Sequence, residues 1–543
     1  MSLLLRRNVR WFALISVFVK AYVKQAPVMP AMVPARLRSR AGVIATSAAV
    51  FSNLFIPAAS AIDLDQRTDL SSEDKARVSQ ILKAPTDFSK AENFELMQAG
   101  KTTTRKPLSR AAFTHPSANL PFEQHQDFRL GESLFQKLWV STPSSTRASD
   151  GLGPLFNARS CESCHPKAGR GRPPVEDERP VSIFLRLSVA PSTPEERALI
   201  ESGEVPFLPE PTYGSQLQNF GVPGVSGEGE MKITYDEIKV DLSEGEIAYL
   251  RKPTYTIQNL AYGPMSEHTL VSARVAQPMI GLGLLEAIAE TDITSQADPE
   301  DADQDGISGR VSWVNPNDPE TRTVGRFGWK ALKATVRSQS AAAFAGDLGL
   351  STPYDLRNYG DCTEAQTVCF EQAHGEQADL GVSEAPDPVL DLVVFYSQNL
   401  AVPARRDVND PRVLAGKKVF YEAGCARCHT PKYVTSRTAE NPVHQFQLIW
   451  PYTDLLLHDL GQGLSDGRPT GSASGNEWKT PPLWGIGLTE NINNHRLFLH
   501  DGRARGLLEA VLWHGGEAEA AKTRVVEMSA KDRANLIRFL ESL

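Results

Sequence analysis

Two short cysteine motifs are the segments of this sequence best suited to chemistry. Residues 161–165 read Cys-Glu-Ser-Cys-His, and residues 425–429 read Cys-Ala-Arg-Cys-His. On a short helix, positions i, i+3 and i+4 share one face, so two thiols and an imidazole meet the same flat ligand. At this spacing the thiols attach to the vinyl groups of haem, and the histidine becomes the proximal iron ligand. The sequence therefore predicts two covalent haem c groups, held by Cys161, Cys164, His165, Cys425, Cys428 and His429.

Two other interpretations of the Cys-x-x-Cys spacing are a zinc site and a redox dithiol. A zinc site needs no histidine directly after the second cysteine, yet one recurs in both copies. A redox dithiol of the thioredoxin type stands in a βαβ context, which this sequence lacks. The remaining pair, Cys362 and Cys369, encloses six residues. In an exported chain we expect it to form a structural disulfide, with a redox role as the alternative.

The two halves of the chain repeat the same sequence frames around each cysteine motif. A Gly-x-x-x-Phe frame precedes each motif, at 131–135 and 416–420, and is typical of a helix that runs towards the haem. Each motif is followed by Pro-x-x-Gly-x-Gly-Leu, at 278–284 and 482–488. The interval from the haem histidine to this second frame is 113 residues in the first half and 53 in the second. The first half therefore contains an insertion, and proline, glycine and short alternating runs place it, with loops and a few strands, at about 172–255.

The predicted fold class is mainly α, with two cytochrome c-like helical haem domains, long loops and a small β-containing insertion in the first domain. Helical patterns occupy 385–400, 411–424, 505–514 and 529–543. The last pattern begins with Ser529 and Asp532 as a capping box. The predicted parts of the chain are a targeting segment, an N-terminal extension, a first haem domain and a second cytochrome c domain, at 1–61, 62–109, 110–380 and 381–543.

The first 61 residues differ in charge from the rest of the chain. They hold eight lysine and arginine residues and no acidic residue. Residues 41–58 are apolar or small and lead into Ala59-Ser60-Ala61, the small-x-small pattern that signal peptidase cleaves. This pattern predicts a signal peptide and a periplasmic protein of a Gram-negative bacterium, with a start at Met29 or Met32. The alternative is a transmembrane anchor, in which the uncleaved segment contacts the membrane.

Composition limits the class of protein and its partners. With 543 residues, 41% hydrophobic and 22% charged, the chain is long enough for several cored domains and too ordinary for disorder. The net charge is -8, and the basic residues form no patch beyond the N-terminal segment. This distribution argues against a nucleic-acid partner.

The alignment of the two halves predicts a difference between the two irons. It places Gln339 where the second half has His514. A histidine closes the second iron as a bis-His site for electron transfer, whereas an amide is a poor iron ligand and a good hydrogen-bond donor. The first iron is therefore expected to be open for chemistry. The alternatives to His514 as sixth ligand are Met528 and His500.

An acidic loop at 301–309 matches the first half of a calcium loop. Asp301, Asp303 and Asp305 stand at alternate positions before a glycine. The twelfth position holds Ser312 rather than glutamate, so the loop is not an EF-hand and a more distant oxygen must complete the shell. Calcium is expected here, and an acidic turn without a metal is the alternative.

Longer stretches of the sequence resemble a known family. These stretches are Gly153–Asn157, Gly281–Ala287, Gly325–Ala331, Leu400–Pro403, Thr480–Gly485, Leu499–Ala504 and His514–Glu517. They are similar to the di-haem cytochrome c peroxidase and MauG superfamily, and more closely to its branch of di-haem oxidoreductases, also called thiol oxidoreductases. The resemblance covers about 110–543.

The resemblance implies a peroxidase-like oxidoreductase, in which an electron-transfer haem in the second half feeds a reactive haem in the first. Trp329 and Gln339, ten residues apart, match the tryptophan between the haems and the glutamine of the active pocket in bacterial peroxidases. The peroxidase catalytic glutamate has no clear match, and Asp347 is the nearest carboxylate. His268 is the other candidate proton shuttle, or a displaceable sixth ligand. The peroxidases have methionine in place of His514, so the second haem is expected to have a lower potential.

The expected partners follow from this chemistry. They are a small redox donor protein or a quinol-linked cytochrome, and a small oxidant such as peroxide. A buried core tryptophan is the alternative for Trp329. Two other functions remain open, a non-enzymatic electron carrier with both irons six-coordinate and a redox accessory of metal uptake. The spectrum of the ferric protein separates them, because a high-spin component indicates an open iron.

Overall fold

The computed structural model describes residues 62–543 apart from 147, 148, 177, 316–319, 378 and 380. The predicted targeting segment at 1–61 therefore lies outside the described residues. Helices make up 32% of the chain, and every named sheet of the described part has two strands. This content agrees with a mainly helical protein with small sheets. No helix among the described residues has both the length and the apolar composition needed to cross a bilayer.

The α-helices of the described part are short, and the longest have 13 residues. In chain order they are α1 (Ser72–Leu82), α2 (His125–Gln136), α3 (Cys161–Cys164), α4 (Pro194–Glu201), α5 (Leu282–Glu286), α6 (Glu290–Thr294), α7 (Val336–Leu348), α8 (Asp387–Gln398), α9 (Pro411–Glu422), α10 (Gly461–Leu464), α11 (Thr489–Asn493), α12 (Leu507–Leu512), α13 (Glu519–Glu527) and α14 (Ala530–Ser542).

The strands pair only in antiparallel ladders, β1 with β3, β2 with β6, β4 with β5, β7 with β8, β9 with β10 and β11 with β12. Their bounds are β1 (Leu155–Phe156), β2 (Ile183–Val189), β3 (Phe220–Gly221), β4 (Glu230–Asp241), β5 (Ile247–Gln258), β6 (Thr269–Val275), β7 (Trp313–Val314), β8 (Thr323–Val324), β9 (Tyr433–Val434), β10 (Leu448–Ile449), β11 (Leu457–Asp459) and β12 (Glu477–Lys479).

The four helical patterns of the sequence are confirmed as α8, α9, α12 and α14, each slightly shorter than its pattern. The predicted cap of α14 is present, because the Ser529 hydroxyl accepts a hydrogen bond from the Asp532 backbone N–H at 3.1 Å. This bond satisfies one of the free donors at the start of the helix. The local sequence therefore fixes where these helices begin and end.

The helix before each cysteine motif packs against a later helix in the same way, α2 against α8 and α9 against α14. A Cβ on Gly131 would lie 2.2 Å from the Leu392 carbonyl oxygen. A Cβ on Gly416 would lie 1.9 Å from that of Asn535. The glycine of each Gly-x-x-x-Phe frame thus lets two helix backbones approach closely. These contacts place α8 with the first half, although the sequence pattern assigns everything from 381 onward to the second domain.

The glycines of the second frame also serve close approach. Gly281 and Gly485 have φ values of 72° and 73°, a left-handed conformation that favours glycine. A Cβ on Gly283 would lie 2.5 Å from a backbone oxygen in the last turn of α8, and one on Gly487 would lie 2.1 Å from a backbone oxygen in the last turn of α14. The repeated frame therefore turns the chain against the end of an equivalent helix in each half.

Aromatic rings fill the space between these helices. The Tyr396 ring lies 4.9 Å from that of Phe128 and 5.2 Å from that of Phe135. In the second half, the rings of Phe420 and Phe539 lie 5.2 Å apart. The phenylalanine of each Gly-x-x-x-Phe frame is thus part of a buried core beside its motif.

The insertion contains the longest hairpin of the described part. β4 and β5 have 12 residues each, and β5 extends past the predicted end of the insertion to Gln258. The hairpin contacts the second half, because the Arg251 backbone N–H donates to Glu509 Oε1 at 2.5 Å. The Tyr255 hydroxyl donates to Asp501 Oδ2 at 2.9 Å. Strands inserted in the first half therefore pack on α12 and the chain before it.

The expected disulfide joins Cys362 and Cys369. Within the closed loop, the Gln366 side-chain amide donates to the buried carboxylate of Glu228 at 2.5 Å. The disulfide thus anchors a loop against buried polar residues of the insertion, as a structural crosslink does.

Candidate functional site

A cavity of about 270 Å³ lies beside the second cysteine motif. Cys425, Cys428, His429 and His514 line it. Most of its other lining is apolar and includes Phe420, Pro482, Leu483, Ile486, Leu507, Val511, Leu536 and Leu540. An apolar cavity lined by two thiols and four imidazoles, among them His429 and His514, has the chemistry that a covalently attached, six-coordinate haem requires. The residues therefore fit the cofactor that the motif predicts.

The hydrogen bonds and the lowered pKa values of His429 and His514 suit iron ligation. The Nδ1 atom of His429 lies 2.9 Å from the Tyr452 carbonyl oxygen, and that of His514 lies 2.8 Å from the Ala510 carbonyl oxygen. An Nδ1–H that donates to a carbonyl leaves Nε2 with its lone pair free for a metal. Burial lowers the pKa of His429 to about 4 and lowers that of His514. Both imidazoles are therefore neutral, as ligation requires.

The first motif has matching surroundings. Its cysteines begin and end α3, and the Nδ1 atom of His165 lies 2.6 Å from the Gln277 carbonyl oxygen. Burial lowers the pKa of His165 to about 4. The ring of Phe135 lies 6.3 Å from that of His165, and the ring of Phe420 lies 6.4 Å from that of His429. Because the proximal sides match, the first motif is also suited to hold a haem.

A half-buried carboxyl group, that of Asp347, lies near the first motif. Burial raises the pKa of the Cys161 thiol to about 12, with a further contribution from the charge of Asp347. The Oδ1 atom of Asp347 accepts a hydrogen bond from Gln216 Nε2 at 3.0 Å and lies 3.9 Å from Arg186 Nη2. Burial raises the pKa of Asp347 itself. Asp347 therefore keeps its proton to a higher pH than an exposed aspartate.

Residues 95–543 match the family model described as "Di-haem oxidoreductase, putative peroxidase". The chain belongs to this di-haem oxidoreductase family. A search of curated proteins finds no match. One solved structure, "Kuenenia stuttgartiensis Hydrazine Synthase Pressurized with 20 bar Xenon", is similar at 13% identity over 66% of this chain and 90% of that chain, with a TM-score of 0.26. A similarity this weak supports no inference about fold or function.

In this di-haem oxidoreductase, Trp329 is buried and lines the cavity. Its Nε1–H donates to the Val275 carbonyl oxygen at 2.9 Å. Its ring meets those of Trp478 and His500 edge-on, with centroids 6.5 and 6.4 Å away. Trp478 and His500 stack at 3.9 Å. The predicted inter-haem tryptophan thus belongs to an aromatic cluster beside the second motif.

Gln339 and Asp347 lie on the same helix, α7. The Oε1 atom of Gln339 is 3.6 Å from the position that a Cβ on Gly328 would occupy, next to Trp329. The helix thus links Asp347, whose charge acts on Cys161, to Gln339, which lies beside Gly328 and Trp329. His268, the fourth predicted catalytic residue, lies in an exposed turn before β6.

The alternatives to His514 differ in position. His500 lines the cavity, and burial lowers its pKa to about 3. Its ring is nevertheless stacked on Trp478, and no hydrogen bond in the described part orients it as a ligand. Met528 caps the end of α13 and packs with an apolar cluster, outside the residues that line the cavity. Of the three candidates, His514 is the one that both lines the cavity and has its Nδ1 atom hydrogen-bonded to a backbone carbonyl oxygen.

A buried histidine that the sequence analysis missed, His458, lies beside the second motif. Its Nε2 atom is 2.7 Å from Asp454 Oδ2, its Nδ1 atom is 2.6 Å from Glu517 Oε2, and Cys428 Sγ is 3.6 Å from Nδ1. Burial lowers the pKa of His458, but the charges of Cys428 and Asp454 raise it well above the usual range. No local motif marks this residue, because its partners come from distant segments.

The acidic loop lies next to this histidine. Oxygens of Asp298, Asp301 and Asp303 lie within 4.8 Å of one another. Asp305 instead forms an ion pair with Arg427 of the second motif at 2.7 Å. A small cavity of about 30 Å³ separates the loop from His458. The structure thus groups two predicted calcium ligands with Asp298, and it turns the third towards the second motif.

Arg170 is a second residue that the sequence did not single out. It follows the first motif, is buried, and lines the cavity of the second motif. Its guanidinium lies 5.4 Å from the centroid of the Trp329 ring. Burial lowers its pKa to about 10. A cation from the first half therefore reaches the site of the second half.

Proposed function

We propose that this chain is an exported di-haem c oxidoreductase with peroxidase-like activity, in which a six-coordinate second haem supplies electrons to an open first haem. Family membership supports the oxidoreductase class. The observation that carries the finer proposal is the difference between the two motifs. His514 shares a cavity with His429, whereas α7 carries Gln339 and the carboxyl group of Asp347, whose charge acts on Cys161. When bound, haem supplies an iron that exchanges electrons and activates peroxide.

Asp347 is the proposed acid. Cleavage of a peroxide bond requires a proton on the leaving oxygen. Burial raises the pKa of Asp347, so the carboxyl group holds a proton in a range where an exposed aspartate has lost it. Gln216 fixes one carboxyl oxygen through a hydrogen bond of 3.0 Å, which leaves the other oxygen to deliver the proton.

Gln339 is the proposed orienting residue. Its side chain offers two N–H donors and no group that binds iron well. It stands ten residues after Trp329, on the helix that carries Asp347. A donor at this place can hold a small oxidant in position without closing the iron.

Trp329 is the proposed electron path between the two halves. Its indole N–H bond to Val275 fixes the ring, and the ring packs against Trp478 in the wall of the second cavity. Arg170 lies over the same ring and joins it to the chain of the first motif. A fixed aromatic ring between two redox centres shortens each electron-transfer step.

Export, donor and calcium are parts of the same proposal. The basic, apolar and small-residue pattern of residues 1–61 supports export to the periplasm. There a small redox protein or a quinol-linked cytochrome would be the electron donor. Asp298, Asp301 and Asp303 are the proposed calcium ligands, because three clustered carboxylates repel one another unless a cation lies among them.

The test is a ferric spectrum of protein matured with haem in a periplasm. We expect two covalent haems per denatured chain, one low-spin and one with a high-spin component in at least one redox state. Peroxide should react with the high-spin component. Two haems that stay low-spin in every redox state would instead identify an electron carrier, and fewer than two covalent haems would contradict the proposal.

A further inference from the structure

Three buried cations share a single buried carboxylate in the interior of the protein. Lys330, Arg468 and Arg274 are 0%, 1% and 7% exposed. The oxygens of Asp466 lie 2.9 Å from Lys330 Nζ and 3.6 Å from Arg274 Nη2, and they accept a hydrogen bond from the Arg468 backbone N–H at 2.9 Å. The cluster thus carries two more positive than negative charges. An uncompensated buried charge is strongly unfavourable, so this surplus calls for an anionic partner.

The free donors of the cluster belong to the two arginines. The ammonium of Lys330 donates to Asp466 and to the carbonyl oxygens of Arg468 and Ser474, which uses its three protons. By contrast, Arg468 Nε is buried without a hydrogen-bond partner, and Arg274 Nη2 is buried with only the long ion-pair contact to Asp466 at 3.6 Å. Buried donors are almost always paired in folded proteins. These two atoms therefore mark the place where an acceptor is missing.

The strand β6 connects the cluster to the first motif. Side chains alternate along a strand, so Arg274 and Ala276 point to the same side of the chain. Ala276 packs against Cys164 in a small apolar cluster. On the paired strand β2, Arg186 stands opposite Ser272 and lies 3.9 Å from Asp347, the carboxylate near the first motif. The same side of the sheet thus leads from the attachment thiol to the arginines.

We propose that Arg274 and Arg468 bind the two propionate carboxylates of the haem attached at Cys161 and Cys164. The propionates lie on the edge of the porphyrin opposite to the vinyl groups that react with the thiols. Two carboxylates equal the surplus charge of the cluster, and guanidinium groups match carboxylates in shape and charge. This inference rests on the proposed function, because it requires a haem on the first motif.

The experiment measures the reduction potential of each haem in Arg274→Gln and Arg468→Gln. Positive charge near a haem favours the ferrous form, so each substitution should shift the equilibrium of the first haem at least tenfold towards the ferric form, which is 59 mV for one electron. Arg274→Lys should leave the potential of the first haem close to the wild-type value, because lysine retains the positive charge. The potential of the second haem should not change.

The matched control is Arg533→Gln. Arg533 is equally buried, but its donors already reach the Val525 carbonyl oxygen at 2.6 Å and Glu246 at 3.1 Å. This variant should leave both potentials unchanged. An unchanged first-haem potential in both Arg274→Gln and Arg468→Gln would overturn the inference, and so would a shift confined to the second haem.

Acetate distinguishes haem propionates from a free carboxylate ligand. With the propionates on the arginines, titration of the wild type with sodium acetate at constant ionic strength should cause no saturable spectral change. A saturable change that Arg468→Gln abolishes would assign the arginines to a free anion and overturn the inference. Absence of the first haem from the wild type would contradict the proposed function itself. Two attached haems, with an unchanged first-haem potential in the variants, would contradict only this inference.

Discussion

The surroundings of the two Cys-x-x-Cys-His motifs agree on the proximal side of each histidine. In both halves a phenylalanine ring lies beside the histidine, at 6.3 Å in the first and 6.4 Å in the second. In both halves the histidine Nδ1 atom meets a backbone carbonyl oxygen, and a helix pair crosses at a glycine. The two halves therefore share the contacts that would orient a proximal iron ligand.

The two motifs differ on the side where a sixth ligand would stand. The second motif has His514, a neutral imidazole fixed by Ala510. In the first half, α7 carries Gln339 and a half-buried carboxyl group, Asp347, that is linked to Gln216 and Arg186. A ligand suits electron transfer, and a proton donor suits chemistry. Under the proposed function, the comparison teaches that one repeated scaffold supports two roles through different residues on this side of each motif.

The largest expected effect is loss of one haem. Cys161→Ala combined with Cys164→Ala removes both thioether bonds of the first motif, so the denatured chain should retain one covalent haem instead of two. Mass spectrometry of the denatured protein measures the number. The reciprocal change of Cys425 and Cys428 to alanine is the matched variant. Loss of both haems in either variant would show that the two halves mature together. The two haem sites could then not be compared by removing one at a time.

The next effect is on reactivity at the first haem. Asp347→Asn keeps the size of the side chain and removes the acid, so reaction with peroxide should slow by about 10²–10⁴-fold. The wild-type rate should fall as the pH rises through the raised pKa of Asp347, because only the protonated group can donate, and the variant should lose this dependence. Stopped-flow absorbance measures both. Equal rates in the two proteins would place the acid elsewhere.

The second haem tests the other side of the comparison. His514→Ala should convert it from low-spin to high-spin or water-ligated, because the neutral imidazole facing the cavity is gone. His514→Met should keep it six-coordinate and raise its potential by more than 59 mV, a tenfold shift towards the ferrous form. Electronic spectra and redox titration measure these changes. A low-spin spectrum that survives His514→Ala would direct the search to His500 or Met528.

The shared scaffold can be tested at its glycines. Gly416→Ala would place a Cβ 1.9 Å from the Asn535 carbonyl oxygen, and Gly131→Ala would place one 2.2 Å from that of Leu392. Each should lower the free energy of unfolding by about 1–3 kcal/mol, as overpacking does. Gly506→Ala is the control, because nothing lies within 4 Å of its added Cβ. Denaturant unfolding measures the three variants, and a strong effect in only one half would break the structural equivalence.

The smallest expected effect concerns the acidic loop, which only the first half carries. If calcium binds, it should stabilise the fold by about 2.7 kcal/mol at a concentration of 100 times Kd, and chelation should remove this. Asp301→Asn should weaken the calcium response more than Asp305→Asn, since Asp305 is paired with Arg427. Thermal melts with calcium and with chelator measure the difference. Melting curves that ignore both would identify the loop as a turn.

The sequence predicted the local features well, because each depends on residues close together in the chain. The Ser529 cap defines the start of α14, and the Cys-x-x-Cys-His spacing predicts two haem attachment sites. The repeated Gly-x-x-x-Phe frame signalled two equivalent helices, although not the partners they pack against. The family resemblance is confirmed by the match over residues 95–543. Local features of this kind can be predicted from the sequence, because helix periodicity and capping depend on residues only a few positions apart.

Only the tertiary structure decided which distant groups meet. His458 lies between Asp454 and Glu517, and Asp305 pairs with Arg427, through contacts that no spacing rule anticipates. The sequence offers His268 as a candidate proton shuttle or displaceable sixth ligand, yet the fold leaves it in an exposed turn. Burial also decides which groups have shifted pKa values, since an aspartate or histidine shows its environment only after folding. The sequence thus determined which residues could bind haem, and packing determined which residues surround it.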